Sequence, residues 1–143
     1  LVETHQDIKV VYPVHLNPQI KQIAQEVFQN HERIALIEPL DVVDFHNFIQ
    51  RAYLILTDSG GIQEEAAALG KPVLVLRDTT ERPEGLQAGT LKLAGTDEKQ
   101  IFQMADELLS CQDCYREMSQ AANPYGDGKA SFRIVDIIRR YLL

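Results

Sequence analysis

The sequence predicts an α/β fold, a doubly wound and Rossmann-like domain whose parallel sheet is covered by helices on both faces. Two observations carry this expectation. Short runs such as "RIALI" (33–37) and "PVLVL" (72–76) are continuously apolar, as in strands buried on both sides. Segments with apolar residues at helical spacing alternate with those runs, the pattern of successive βα units.

Taken in order, "IKVVYPV" (Ile8 to Val14) reads as a first strand ending at Pro13. Pro18 suits the first turn of a helix, and Ile20, Ile23, Ala24, Val27 and Phe28 recur at helical spacing. Arg33 to Ile37 forms the second strand. Asp41 caps a helix with an expected inward face of Val42, Phe45, Phe48 and Ile49. Tyr53 to Leu56 is the third strand, and a helix from about Gly61 to Leu69 stops at Gly70 in a left-handed cap. Pro72 to Leu76 is the fourth strand. A polar stretch follows, with one helical turn near Pro83 to Ala88 and a short strand at Thr90 to Leu93. Helices are expected at Asp97 to Leu109, Tyr115 to Ala121 and Lys129 to Leu142.

Residues 1–143 suit one domain, with 45% apolar and 24% charged residues, ordinary globular values. A net charge of −7 opposes non-specific attraction to nucleic acid or anionic lipid. The sequence lacks a run near the roughly 20 apolar residues that span a bilayer, and Leu1 to Asp7 does not resemble a signal peptide. A cytoplasmic protein is the expectation. The start at Leu1 suggests a fragment of a longer polypeptide. Cys111 and Cys114 in "CQDC" are expected to be reduced and incidental, because a zinc site needs about four ligands and no second pair exists.

The richest stretch is "LTDSGGIQEEAAALGKPVLVL", Leu56 to Leu76. Ser59, Gly60 and Gly61 follow a strand, where open α/β sheets bind ligands. Glycines there let backbone approach a ligand closely. The helix they open offers unpaired N–H groups and a partial positive charge, a phosphate or diphosphate site. Glu64 and Glu65 point about 100° apart, so one can face a ligand and accept hydrogen bonds from a sugar diol. Acids near a helix start also simply stabilise it. The stretch is neither a Walker A loop nor a G-x-G-x-x-G fingerprint.

The string "LTDSGGIQEEAAALGKPVLVLRDTTERPE", with "YPVHLNP" before it and "NPYGDGKA" after it, closely resembles the non-hydrolysing UDP-N-acetylglucosamine 2-epimerases of bacteria. The similarity covers nearly the whole chain. It implies one half of a two-domain GT-B enzyme, the carboxyl-terminal half that holds UDP, with the amino-terminal domain absent from this chain. It implies that Ser59, Gly60 and Gly61 receive the diphosphate and that Glu65 meets the ribose hydroxyls. Phe45 lines the uracil pocket beside backbone near Leu40, and Arg82 approaches the phosphate or sugar. His15 is implied at the cleft or at a second, regulatory UDP-sugar.

Each role has a structural alternative. Phe45 suits a helix core, Arg82 could pair with Glu81 or Glu84, and His15 could cap the following helix. His5, His31 and His46 match no motif and are expected to be surface or core residues.

The implied reaction interconverts UDP-N-acetylglucosamine and UDP-N-acetylmannosamine through elimination and re-addition of UDP, in a homodimeric enzyme needing no cofactor or metal. The main proton-transfer groups belong to the absent domain, so the fragment is expected to be inactive alone. Val42 stands where relatives often carry an aromatic residue. A GT-B glycosyltransferase and a non-catalytic UDP-sugar sensor are the alternatives. The final "FRIVDII" stripe (132–138) needs a cover, and self-association would supply one.

Overall fold

In the computed structural model, which describes residues 1–28 and 31–142, every strand pairing is parallel. Strand β1 (Val10–Pro13) pairs with β2 (Ile34–Ile37), Val10 lying opposite Ile34. Strands β3 (Ile55–Thr57), β4 (Val73–Val75) and β5 (Leu91–Leu93) form a second sheet in the order β3-β4-β5. Helices connect the strands: α1 (Pro18–Phe28), α2 (Val42–Arg51), α3 (Gly60–Ala68) and α4 (Pro83–Ala88). Three more follow β5: α5 (Glu98–Ser110), α6 (Gln112–Ser119) and α7 (Ala130–Leu142). The expected alternation of strand and helix is therefore present, and the sheet is divided in two. The chain forms two compact units, Leu1–Phe48 and Ile49–Leu143.

In the second unit the core is built around β4. Val73, Leu74 and Val75 are wholly buried, as the continuous apolar run requires for a central strand. Ala66 and Ala67 of α3, Leu91 of β5, and Ala105 and Leu108 of α5 are buried too. Full burial of Leu74 contributes about 1.5–3 kcal/mol relative to exposure. Helix α3 ends at Gly70, whose φ of 64° lets its N–H bond Ala67 O at 3.1 Å while Lys71 N–H bonds Ala66 O at 2.9 Å. That pair of bonds is a Schellman motif, as the glycine predicted.

In the first unit, Val2, Val14 and Ala24 are buried, while Ile23 and Val27 on α1 remain exposed. Arg33 holds the His5 carbonyl at 2.9 Å, and Lys21 pairs with Glu38 at 2.9 Å. His31 meets Glu3 Oε1 at 2.8 Å, which holds the Glu3 carboxyl below its usual range.

Three expectations need correction. On α2, Val42 and Phe48 are exposed and Phe45 half-buried, leaving Ile49 as the buried residue of the predicted inner face. Cys111 and Cys114 are joined in a disulfide rather than reduced. Cys111 is the N-cap of α6 and Cys114 sits three residues on, a spacing that turns both sulfurs to one side with Cα atoms 5.3 Å apart. Helix α6 accordingly begins at Gln112, ahead of the predicted Tyr115.

Candidate functional site

Thr57, the last residue of β3, is buried, and its Oγ1 accepts the Ser59 N–H at 3.0 Å. This local bond turns the chain out of the strand. Ser59 then takes the N-cap position of α3 in extended backbone geometry, yet its side chain makes no capping bond. The Gly60, Gly61 and Ile62 amides therefore receive no acceptor from the Ser59 side chain. The start of α3 thus presents its N–H groups and the positive end of its dipole unneutralised by its own cap.

Why glycine stands at position 60 is visible in its surroundings. A Cβ there would fall on Glu81 Oε1 and lie 3.8 Å from Arg82 Nη2. Gly61 faces open space, with nothing within 4 Å of its would-be Cβ. The segment after β4, residues 77–82, therefore lies directly over the mouth of α3. Arg77 holds Glu81 there through Nη1–Oε2 at 2.9 Å.

Arg82 comes to the same place. Its Nε donates to Glu64 Oε1 in a close charge-assisted bond, and Nη1 donates to the Glu81 carbonyl at 3.2 Å. The partner is Glu64, neither of the two sequence neighbours Glu81 and Glu84 considered as side-chain partners. Glu64 and Glu65 are both half-buried. Ser59, Gly60, Glu64 and Arg82 are thus gathered at one helix start, with Gly61 and Glu65 on the same first turns.

Sequence reading missed three contributors. Gln63 is wholly buried on α3, and its Oε1 accepts the Thr80 hydroxyl at 2.6 Å. Thr80 Oγ1 in turn accepts the Arg82 N–H at 3.0 Å. Tyr125 places its hydroxyl against Gly85, where a Cβ would fall on it. Burial pushes the Tyr125 phenol pKa up, and the Glu84 and Glu64 carboxylates push it further while Arg82 opposes them. No local pattern announces the Gln63–Thr80 and Tyr125–Gly85 contacts, because each joins residues far apart in the chain.

The remaining predicted residues belong to the first unit. His15 is exposed and accepts the Asn17 N–H on Nδ1 at 3.1 Å; Asn17, through Oδ1 to Gln19 N–H at 2.9 Å, is the residue that caps α1. Leu40 and Phe45 are half-buried, before and within α2. Asp41 caps that helix as predicted, its Oδ1 accepting the N–H groups of Val43 and Asp44 at 2.9 and 3.0 Å. Among the described residues no helix is long and apolar enough to cross a membrane.

Parallel strands, alternating helices and a glycine-opened helix at a strand's carboxyl end define a Rossmann-like α/β protein. A family model described as UDP-N-acetylglucosamine 2-epimerase matches residues 1–139. The Bacillus subtilis UDP-N-acetylglucosamine 2-epimerase is 63% identical over 136 residues, 95% of this chain and 36% of that protein. The Escherichia coli K12 enzyme of the same name is 50% identical over 139 residues, covering 97% and 37%. In the Staphylococcus aureus MnaA–UDP co-structure, 57% identical, the match covers 99% of this chain and 39% of that one, with a TM-score of 0.93. The Neisseria meningitidis UDP-GlcNAc 2-epimerase bound to UDP-GlcNAc is 42% identical with a TM-score of 0.89, over 97% and 38%. This chain belongs to the UDP-N-acetylglucosamine 2-epimerase family. It spans a little over a third of the length of these relatives.

Proposed function

We propose that residues 1–143 are the carboxyl-terminal, UDP-binding half of a GT-B enzyme that interconverts UDP-N-acetylglucosamine and UDP-N-acetylmannosamine. In this reading the whole enzyme is a cytoplasmic homodimer that supplies precursors for cell-surface polysaccharide. The observation that carries it is the start of α3, where uncapped amides meet the Arg82 guanidinium. Relatives crystallised with UDP or UDP-GlcNAc support the same ligand class.

The chemistry follows from the charge that must be held. Loss of the C2 proton and cleavage of the C1–O bond form a C1=C2 double bond, and the bond's electron pair departs on the diphosphate of UDP. Return of UDP to C1 with protonation of C2 from the opposite face completes the inversion. Ser59, Gly60, Gly61 and Arg82 hold the diphosphate as its charge grows, a stabilisation stronger in the transition state than in the ground state. A planar guanidinium suits phosphate oxygens, and Arg82 exchanges its Glu64 partner for them. Glu65 takes the ribose hydroxyls, while Phe45 and backbone near Leu40 serve the uracil. His15 is assigned to a regulatory or cleft role. The groups that move the C2 proton lie outside this chain.

Isothermal titration with UDP tests the reading. Binding that weakens on Ser59→Ala by about 10- to 100-fold is expected, the range for a hydrogen bond to a charged group. No heat at millimolar UDP overturns it. The chain alone is expected not to epimerise UDP-N-acetylglucosamine, and turnover by it would remove the assignment of proton transfer elsewhere.

A further inference from the structure

Arg82 is reached from α3 by two successive residues with different burial. Glu64 engages the guanidinium from the half-exposed face, with 43% of its side-chain surface open. Gln63 works from the inside. It has no exposed surface, and its Oε1 receives the Thr80 hydroxyl hydrogen at 2.6 Å. Thr80 Oγ1 then receives the backbone N–H of Arg82 at 3.0 Å. A continuous chain of hydrogen bonds therefore runs from the interior of α3 to the Arg82 backbone, separate from the ion pair that holds its side chain.

The other half of the Gln63 amide sharpens the point. Its Nε2 is buried and has no hydrogen-bond partner among the described residues. Burying an unpaired donor is unfavourable, so an apolar residue would serve better if this position only filled the core. What an apolar residue cannot supply is the bond to Thr80.

We infer that Gln63 and Thr80 are positioning residues: they fix the backbone at Arg82 against α3, so that the guanidinium can leave Glu64 for a phosphoryl oxygen without the loop moving. The inference rests on the proposed reading that Arg82 meets the diphosphate of UDP. The short Gln63–Thr80 bond survives the exchange because neither residue has to change its partner. The swing is confined to the Arg82 side chain, which limits the conformational freedom lost when ligand binds.

The test uses the full-length protein and UDP titration in four variants. Arg82→Ala is expected to weaken UDP binding roughly tenfold or more. Thr80→Val removes the hydroxyl at nearly constant volume and is expected to weaken binding about fivefold to tenfold. Thr80→Ser, which keeps the hydroxyl, is expected to bind as the parent does. In the Arg82→Ala background, Thr80→Val is expected to have no further effect, because nothing remains to be positioned.

An equal loss from Thr80→Val in both backgrounds would mark a structural role and overturn the inference, as would no loss in either. Thr80→Ala repeats the measurement if the valine variant does not fold. Failure of the parent to bind UDP, or indifference to Arg82→Ala, would instead remove the underlying site reading.

Discussion

Helices α3 and α5 begin in the same way topologically and finish that beginning differently. Each follows a parallel strand, β3 or β5, and each has an N-cap residue in extended geometry. At α5 the cap is Asp97, whose Oδ1 accepts the Gln100 N–H at 2.9 Å. At α3 the cap is Ser59, whose side chain makes no capping bond, and two glycines follow it. Asp97 neutralises its own helix dipole and satisfies an orphan amide; the Ser59 side chain does neither. The difference separates a helix start that serves stability from one suited to an anion.

Making α3 resemble α5 is the sharpest way to break the comparison. Ser59→Asp places a carboxylate cap at the mouth and is expected to lower UDP affinity by about 100-fold, close to 2.8 kcal/mol. The same variant should be no less stable than the parent in urea unfolding, since aspartate and serine are comparable caps. The reverse change at the other helix has a smaller effect of a different kind. Asp97→Ala is expected to cost about 1 kcal/mol of stability in urea and to leave UDP titration unchanged. An effect of Asp97→Ala on UDP affinity would show that the two helix starts are not functionally distinct.

The smallest expected change concerns Glu81, whose carboxylate lies over Gly60 in the free protein while Arg77 holds it. An anion arriving at α3 meets this resident negative charge. Glu81→Gln is expected to tighten UDP binding by about threefold, modest because Glu81 is half-exposed and screened by solvent. Weaker binding in that variant would mean that Glu81 orders the segment through Arg77 more than it repels the ligand.

Much of the fold was legible because its signals are local. Pro83 at a first helical position and Gly89 at φ 80° bracket α4 at the predicted bounds, and Gly70 stops α3 as expected. Asp41 caps α2, and the unbroken "VLV" of β4 is wholly buried. The Ser-Gly-Gly turn was legible for the same reason, since strand end, glycines and helix start are contiguous.

What the apolar stripes left open has a cause of the opposite kind. An apolar stripe says which face of a helix resists water, and it does not say what covers it. Phe132, Ile134, Val135, Ile137 and Ile138 of α7 lie between 46% and 76% exposed, and Val42 on α2 is 64% exposed. The buried alanines, valines and leucines around β4 carry the same residue chemistry in a place where neighbours exist.

Periodicity, caps and turn glycines act through neighbours three to five residues away, so the order of elements and the placement of the glycine turn followed from the sequence by itself. The Arg82–Glu64 pair and the Gln63–Thr80 bond span 18 and 17 residues. Such partners are chosen by how β3, β4 and the segment after it pack, which local pattern does not encode. Only the tertiary structure could decide that Gln63 faces inward and that Arg82 stands over the mouth of α3.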